Sequence, residues 1–477
     1  MSASKRRAVL GALARDLRSL VTGRETPLMA RAALAEERWH IDRGRAALDQ
    51  GDPDGARAEA ETAARSRAGS TAAATLVTAA GRSRPIRGRS GARAFTSSTV
   101  EAAAAQLRAQ GHAAPVLLAY HQASPDNPFQ DLLYRRAWDH GLAPVPLWDA
   151  ADIDRLPELV PAGMRAVLHL HWVNRVVGSS PDAAEAAVRA GAFAARLDGV
   201  RAAGIPIVWT AHNVLPHDTP YPAEDALVRK AIVERASLIH LLAAGTPELA
   251  APWYEIPAER TVHVPLPSFK NAYPDVLTRA QARFALGLPG DAWVAVLIGG
   301  LRAHKGLNIL MDALDLAAEQ EPRLHLVIAG SPVKSASTEA FLERARAHPR
   351  VSLHARMIPA DDMQLFLRAA DAAVLPYLVT LNSAVLMTAL AFDLPVVVPP
   401  VGGIAETIDK DVAATFTPDD PASLARAILA VRDLPVDKVV AAARRISDNH
   451  DADRLSDRLM TAIAATSASG RVFGDPA

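Results

Sequence analysis

From about residue 97 onward, short apolar runs alternate with segments of helical pattern. In the first half, four apolar runs have the length of strands, and two helical segments lie between them: residues 115–120, 166–172, 205–210 and 238–243 for the strands, 129–140 and 183–203 for the helices. After about residue 275 the pattern restarts, with strand-length runs at 294–298, 324–329, 351–354, 372–376 and 395–398. Continuous apolar runs predict parallel strands that are covered on both faces. The sequence therefore predicts two successive doubly wound α/β units that face a cleft.

The segment 294–306, V-A-V-L-I-G-G-L-R-A-H-K-G, combines a buried strand with a turn and two cations. Gly299 and Gly300 let the backbone turn sharply and approach a ligand closely. Arg302 and Lys305 then precede a predicted helix at 307–318, and a helix N-terminus itself favours anions. The segment is suited to a diphosphate, but taken alone it is equally a strand-turn-helix corner with two solvated basic residues.

Three further loops follow predicted strands, where ligands of such sheets bind. His212, Asn213 and His217 follow the run 205–210, and His171 lies at the end of the run 166–172 beside Trp172. Asn382 or Ser383 is predicted to cap the helix after the run 372–376. We interpret His169, inside a strand, as a hydrogen-bonded structural residue. For His212 and His217 the structural and functional interpretations remain equally open.

Composition narrows the class of protein. The 477 residues include 52 basic and 52 acidic side chains, so the net charge is zero, which argues against a dedicated nucleic-acid binder. The chain has no cysteine, which excludes disulfides, thiolate nucleophiles and cysteine-bound metals. No apolar run approaches the roughly 20 residues that span a bilayer, and charged residues interrupt the apolar stretch at the N-terminus. We therefore expect a cytoplasmic enzyme.

Residues 1–95 differ from the rest and are predicted to be a helical extension. An apolar stripe near the N-terminus predicts either a helix on an anionic membrane or a helix that packs on its own protein. Residues 31–80 resemble a single tetratricopeptide-like hairpin, which cannot bury its apolar face alone and must cover another surface or a partner. A basic linker follows at 81–94. This extension would place the protein at the inner face of a membrane or against a protein partner.

The motifs of the second half, in their order, resemble the donor domain of glycosyltransferase family 4 enzymes, which have the GT-B fold. They are G-G-L-R-A-H-K-G, L-V-I-A-G-S, A-D-A-A-V-L-P-Y and L-P-V-V-V-P-P-V-G-G-I-A-E. The first half matches more loosely, through H-L-H-W and T-A-H-N-V-L-P-H-D. The resemblance implies an acceptor domain at 96–274, a nucleotide-sugar donor domain at 275–450, and a C-terminal helix in 451–477 that returns to the acceptor domain.

The resemblance also implies an activity in glycan or cell-envelope polysaccharide synthesis. Similar enzymes move a hexosyl unit from a nucleotide-diphosphate sugar to a glycan, a lipid-linked acceptor or a small molecule, with retention and without a metal or other cofactor. The implied sites are catalytic His217 and His212, sugar or acceptor contacts at His171 and Asn213, and a set of donor-binding residues: Gly299, Gly300, Arg302, Lys305, Arg356, Met357, Asn382 and Ser383. Arg356 and Met357 would lie near the base.

Two departures from the family pattern keep other functions open. Thr380 and Thr388 occupy the positions of two family glutamates, and Gly300 stands where many members have an arginine, which Arg302 would replace. A catalytically inactive scaffold is therefore an alternative. A nucleotide-sugar epimerase or a nicotinamide oxidoreductase is another, although no G-x-G-x-x-G follows the first strand of either unit. The pairs Asp52–Asp54, Asp152–Asp154 and Asp409–Asp411 are interpreted as solvated turns rather than metal ligands.

Overall fold

The computed structural model describes residues 97–112, 114–124 and 127–473. The predictions for residues 1–95, including the membrane helix, the tetratricopeptide-like hairpin, the linker and the Asp52–Asp54 turn, lie outside the described residues. Among the helices that are described, none is long and apolar enough to cross a membrane.

The first half forms a six-stranded parallel sheet with the strand order β2-β1-β3-β4-β5-β6. Its strands are β1 (Val116–His121), β2 (Leu142–Pro146), β3 (Arg165–Leu170), β4 (Ile207–Ala211), β5 (Leu238–Leu241) and β6 (Thr261–His263). Every residue of β1 and β4 is buried, as the continuous apolar runs predicted. The sequence missed β2 and β6, the two edge strands.

Helices connect these strands: α1 (Ser97–Ala109), α2 (Phe129–Leu133), α3 (Ala150–Leu159), α4 (Ala183–Ala202), α5 (Pro222–Arg235) and α6 (Thr246–Ala250). The prediction of one helix over 129–140 was wrong. The α-helix ends at Leu133, Tyr134 leaves helical geometry, and a separate 3-10 turn spans Ala137–His140. The buried hydroxyl of Tyr134 is used in hydrogen bonds to the sheet, which the helix pattern could not reveal.

The second half forms another six-stranded parallel sheet, with the order β12-β11-β10-β7-β8-β9. The strands are β7 (Trp293–Ile298), β8 (Leu324–Ala329), β9 (Val351–His354), β10 (Ala372–Val374), β11 (Val396–Val398) and β12 (Ala413–Thr415). The chain fills one side of β7 with β8 and β9 and then crosses to β10 on the other side. This reversal between β7 and β10 is the switch point at which doubly wound sheets bind ligands.

The helices that accompany this sheet are α8 (Leu307–Ala318), α9 (Ala336–Ala347), α11 (Ala384–Ala391), α12 (Gly402–Thr407), α13 (Pro421–Arg432) and α14 (Val436–Asn449). Two other helices, α7 (Arg279–Leu286) and α10 (Met363–Ala369), belong to a separate compact unit, whose described residues are Tyr273–Ala292 and Pro359–Ala369. Within that unit, Arg283 Nε donates to the carbonyl of Ala369 over 3.0 Å. All twelve described strands belong to the other unit.

The last helix, α15 (Ala452–Ser467), packs mainly on elements of the first half. Ser456 Oγ donates to the carbonyl of Leu133 over 2.7 Å and accepts from Arg136 N over 3.0 Å. Each sheet has its own apolar core, one beneath β1, β3 and β4 and one beneath β7 and β8. The boundaries 96–274, 275–450 and 451–477 remain predictions.

Candidate functional site

The loop after β7 carries the glycine pair and the two cations. Gly299 has a φ of +115°, and Gly306 has a φ of +64°, so both adopt left-handed backbone that favours glycine. Between them, Ala303–Lys305 forms a single 3-10 turn that leads into α8. The predicted strand, turn and helix of this segment are confirmed.

Lys305 lies at the switch point itself. Its Nζ is 5.5 Å from the centroid of the Tyr377 ring, which follows β10. The same atom would be 3.3 Å from a Cβ built on Gly299, so the glycine leaves the room that the ammonium occupies. The residues after β7 and after β10 therefore converge on this one cation.

The charge of Lys305 is poorly compensated. Burial, and then the neighbouring Arg302, lower its pKa to about 8. Among the residues that the structure describes, no carboxylate forms an ion pair with Lys305. An ammonium that has lost water and gained no counter-ion favours the binding of an anion beside it.

Loops from both sheets meet beside this cation. Asp218, in the loop after β4, lies 3.8 Å from Arg302 and 3.3 Å from His304 Nδ1. The ring of His217 stacks on that of His304, with 4.4 Å between the centroids. Arg302 is 48% exposed, so the pairing with Asp218 is weak and an anion can displace it. The predicted residues His217, Arg302 and Lys305 thus lie in one region of the cleft.

The N-terminus of α11 forms another wall. Ser383 caps this helix, since its Oγ accepts from Leu386 N over 3.0 Å, and the predicted cap is therefore confirmed for Ser383. Asn382 instead reaches across the cleft, and its Nδ2 donates to the carbonyl of His212 over 3.4 Å. The hydroxyls of Thr380 and Thr388 donate to the nearby carbonyls of Asn382 and Ala384, so both are engaged locally.

A cavity of about 170 Å³ lies beside Ser383 and Asn382. Residues of both halves line it: Leu242, His263 and Pro265 from the first, Gly403, Glu406 and His450 from later in the chain. Glu406 joins the two walls, since its carboxylate accepts from Ala244 N over 2.9 Å and from Gly245 N over 3.0 Å. These hydrogen bonds therefore connect the two walls of the cleft beside a partly open cavity next to the helix N-terminus.

Histidines and aromatic residues gather at the carboxyl end of the first sheet. His212 stacks on Trp172 with centroids 4.2 Å apart, and its Nε2 lies 3.0 Å from His171 Nδ1. His169 is fully buried and hydrogen-bonded, consistent with its interpretation as structural. Asn213 follows His212 and is partly buried.

Three buried members of this group were missed by the sequence analysis: Tyr134, Thr210 and His240. The only signal in the sequence is the spacing of His169 and His171 two residues apart in a strand, which indicates one shared face. It gave no sign that Tyr134 bonds to both rings.

Arg356 and Met357 follow β9, the edge strand, which β8 separates from β7. Met357 is 66% exposed. One strand, β8, therefore lies between the strand that precedes these two predicted base contacts and the strand that precedes Lys305, and their role remains a prediction.

The two aspartate pairs that the structure describes have ordinary structural roles. The prediction of a solvated turn at Asp152–Asp154 was wrong, because both residues lie in α3. Asp152 is buried, and its Oδ2 accepts from Trp148 N and Asp149 N. Asp154 pairs with Arg196 over 2.7 Å, and Asp409 accepts from Asp411 N over 2.9 Å. In the described ranges, no group of three or more His, Asp or Glu residues is arranged to hold a metal ion.

Solved structures share this architecture. The Anabaena protein HepE, in complex with UDP and glucose, is similar with a TM-score of 0.56 and 17% identity, over 74% of this chain and 100% of that one. Sucrose-phosphate synthase from Thermosynechococcus elongatus is similar with a TM-score of 0.53 and 15% identity, over 75% and 100%. These likenesses, with the two six-stranded parallel sheets, confirm the GT-B fold.

Sequence comparisons point to the same class. Residues 293–433 match the family model described as glycosyl transferases group 1. The resemblance to GT-B glycosyltransferases, recognised from the motifs after β7, β8, β10 and β11, is therefore confirmed, whereas the activity of the whole chain and its assignment to family 4 stay predictions.

Two curated relatives indicate the range of substrates within this class. D-inositol 3-phosphate glycosyltransferase of Jonesia denitrificans is 29% identical over 237 residues, 45% of this chain and 55% of that protein. GDP-mannose:glycolipid 4-beta-D-mannosyltransferase of Xanthomonas campestris pv. campestris is 28% identical over 238 residues, 49% and 61%. The chain thus spans little more than half the length of these relatives.

Proposed function

We propose that this protein transfers a hexosyl unit from a nucleotide-diphosphate sugar to a hydroxyl of an acceptor. The observation that carries the proposal is Lys305, an uncompensated and partly buried ammonium at the switch point between β7 and β10. The diphosphate of a donor supplies the missing negative charge. The similarity to HepE, which was solved with UDP and glucose, supports a nucleotide-sugar donor.

The demanding step is the departure of the nucleoside diphosphate, during which negative charge grows on its oxygens. Lys305 and Arg302 carry positive charge on one side of the cleft, and the free N–H groups at the start of α11 lie on another. Fixed cations and N–H donors of this kind stabilise a developing anion without reorganising. His217 and His212 lie on the opposite wall, where they contact the sugar or the acceptor hydroxyl.

The proposed acceptor is a glycan, a lipid-linked molecule or a small polar molecule. The names of the relatives support this range, since one acts on D-inositol 3-phosphate and the other on a glycolipid. Retention of configuration is the outcome that the family resemblance implies. Recruitment to an anionic membrane or a protein partner through residues 1–95 is part of the same proposal.

The first test identifies the nucleotide. Thermal unfolding is measured with each nucleoside diphosphate, because a ligand at a hundred times its dissociation constant adds about 2.7 kcal/mol to the free energy of unfolding. The sugar conjugates of the stabilising nucleotide are then incubated with inositol phosphate, glycolipid and oligosaccharide acceptors. If the nucleotide is released at the same negligible rate with each acceptor and without any acceptor, the inactive scaffold is favoured. No stabilisation by any nucleotide would contradict the proposed transferase.

We also propose that the reaction needs no divalent metal, since the cations of the protein neutralise the diphosphate. Turnover with the identified donor is expected to continue at an unchanged rate in excess chelator, measured as nucleotide release over time. A matched reaction with added magnesium serves as the control. Complete loss of turnover that magnesium restores would contradict this prediction.

Nucleotide binding is expected to weaken as the pH rises through about 8, the lowered pKa of Lys305. The protonated amine binds the diphosphate, so the free protein must take up a proton above this pKa, and the affinity then falls by roughly tenfold per pH unit. Calorimetric titrations across that range measure the slope. In Lys305→Met the binding should be weaker throughout and nearly independent of pH in this range. An equal slope in the variant would mean that another group titrates.

A further inference from the structure

A continuous series of hydrogen bonds runs from the cleft into the first sheet. It begins at His212 and passes through His171, Tyr134, His169, Thr210 and His240 to the carbonyl of Val264. The successive distances are 3.0 Å from His212 Nε2 to His171 Nδ1, 2.6 Å from His171 Nε2 to Tyr134 Oη, and 2.8 Å from Tyr134 Oη to His169 Nδ1. The series continues over 2.8 Å from His169 Nε2 to Thr210 Oγ1, 2.9 Å from there to His240 Nδ1, and 2.7 Å from His240 Nε2 to Val264 O.

All members between the two ends are buried. Burial is the main reason that the pKa falls to about 3 for His212 and to about 4 for His240, and it lowers the pKa of His169 and His171 well below the usual value. Each imidazole is therefore neutral near pH 7, with one N–H and one bare nitrogen.

The buried end decides the direction of every bond. A carbonyl oxygen only accepts, so His240 Nε2 carries the proton that it shares with Val264. His240 Nδ1 is then bare, and Thr210 must donate to it. Thr210 consequently accepts from His169 Nε2–H, whose bare Nδ1 accepts from the hydroxyl of Tyr134.

The same reasoning gives the direction of the remaining hydrogen bonds, as far as the cleft. The only proton of the Tyr134 hydroxyl is already donated to His169, so Tyr134 accepts from His171 Nε2–H. His171 Nδ1 is then bare and accepts from His212 Nε2–H. We infer that this series of buried groups holds His212 in its Nε2–H tautomer and presents the bare Nδ1 as a hydrogen-bond acceptor to a substrate hydroxyl in the cleft.

This inference rests on the proposed function for the identity of the substrate, but the tautomer itself does not depend on turnover. The groups that face His212 are Phe129, Trp172 and His171 from the first half and Asn382 from the second, and none carries a charge. The series ends on a carbonyl, which takes up no proton. Tyr134, His169, Thr210 and His240 are therefore positioning residues that orient His212 rather than a path that exports protons.

The test reads the tautomer directly in the full chain. With ¹⁵N-labelled histidine, the imidazole nitrogens of His212 are assigned by comparison with His212→Gln. Near neutral pH, Nε2 should show the shift of a protonated nitrogen and Nδ1 that of a bare one. Tyr134→Phe interrupts the series between His171 and Val264. The hydrogen bond between His171 and His212 can then run in either direction, so His212 should become a mixture of tautomers.

A matched control is Tyr254→Phe. The Tyr254 hydroxyl is also in the interior of this half and donates to the carbonyl of Val214 over 2.9 Å, but it lies outside the series. This variant should lose comparable thermal stability and keep the His212 spectrum unchanged. Thr210→Val severs the series at a second point and should also produce a mixture, which keeps the inference testable if Tyr134→Phe does not fold.

The outcomes separate this inference from the proposed function. An even mixture of tautomers halves the competent fraction of the enzyme, so kcat/KM should fall about twofold or more in both variants. A proton on Nδ1 in the unaltered protein, or an unchanged His212 spectrum in the folded variants, would overturn the inference whether or not the protein turns over. The expected spectra in a protein that never transfers sugar would support the tautomer and reject the proposed function.

Discussion

Replacing both Lys305 and Arg302 with alanine is expected to weaken nucleoside diphosphate binding by about 3–4 kcal/mol, a loss of several hundredfold. Lys305 should account for the larger share, about 2–3 kcal/mol, because it is partly buried, uncompensated and confined between Gly299 and Tyr377. Arg302 should account for about 1 kcal/mol, because it is 48% exposed and already shared with Asp218. Isothermal titration of each variant with the identified nucleotide measures these contributions.

The control is Lys270→Ala, which removes an exposed lysine that pairs with Asp448 over 3.7 Å. It changes the net charge by the same amount as Lys305→Ala and should leave the affinity within about 0.5 kcal/mol of the original. Unchanged affinity in the Lys305/Arg302 double variant would remove the diphosphate from this loop. A comparable loss in Lys270→Ala would indicate a general effect of net charge rather than a specific site.

The central strands could be predicted from the sequence because they are covered on both faces. The runs 294–298 and 324–329 coincide with β7 and β8, which lie inside their sheet. The strands that were missed, β2, β6 and β12, are all edge strands. An edge strand pairs on one side only, so it tolerates proline, as in L-A-P-V-P of β2, and can be as short as three residues.

The site was predictable where its residues are close in sequence and hidden where they are not. The loop from Gly299 to Lys305 contains its own glycines and cations, so its chemistry is visible in one motif. The groups behind His212 come from β3, β4 and β5 and from the residues that directly follow α2 and β3, and the fold brings them together. Thr210 lies opposite His240 in the pairing of β4 with β5, a relation that no local pattern encodes.

The position of Arg356 and Met357 after an edge strand follows from strand order in the same way. The sequence places these residues after a strand, where ligands bind, but it does not reveal that β9 is at the edge of its sheet with β8 between it and β7. Order within a parallel sheet depends on which crossover the chain takes, and that choice is made by packing over the whole domain.

Gly306→Ala is expected to destabilise the protein by about 2–4 kcal/mol and to abolish most nucleotide binding. Gly306 has a φ of +64°, and a Cβ there would lie 1.9 Å from the backbone oxygen of Pro376. Since Leu378 N also donates to the carbonyl of His304 over 3.0 Å, the loops after β7 and β10 are packed backbone to backbone. Relief of the clash must therefore separate Lys305 from Tyr377. Denaturant unfolding and nucleotide titration measure the two effects.

Alanine variants of two other glycines distinguish the possible causes of the lost stability, which are left-handed backbone strain and the clash with Pro376. Gly287 has a φ of +68° but open space around a Cβ, so Gly287→Ala should cost only the left-handed strain, about 1–2 kcal/mol. Gly191 lies within α4, also in open space, and Gly191→Ala should stabilise the helix by about 0.5–1 kcal/mol. Both should retain nucleotide binding. If Gly306→Ala costs no more than Gly287→Ala and binds nucleotide normally, the close contact with Pro376 does not position Lys305, and the geometry assigned to the phosphate site is wrong.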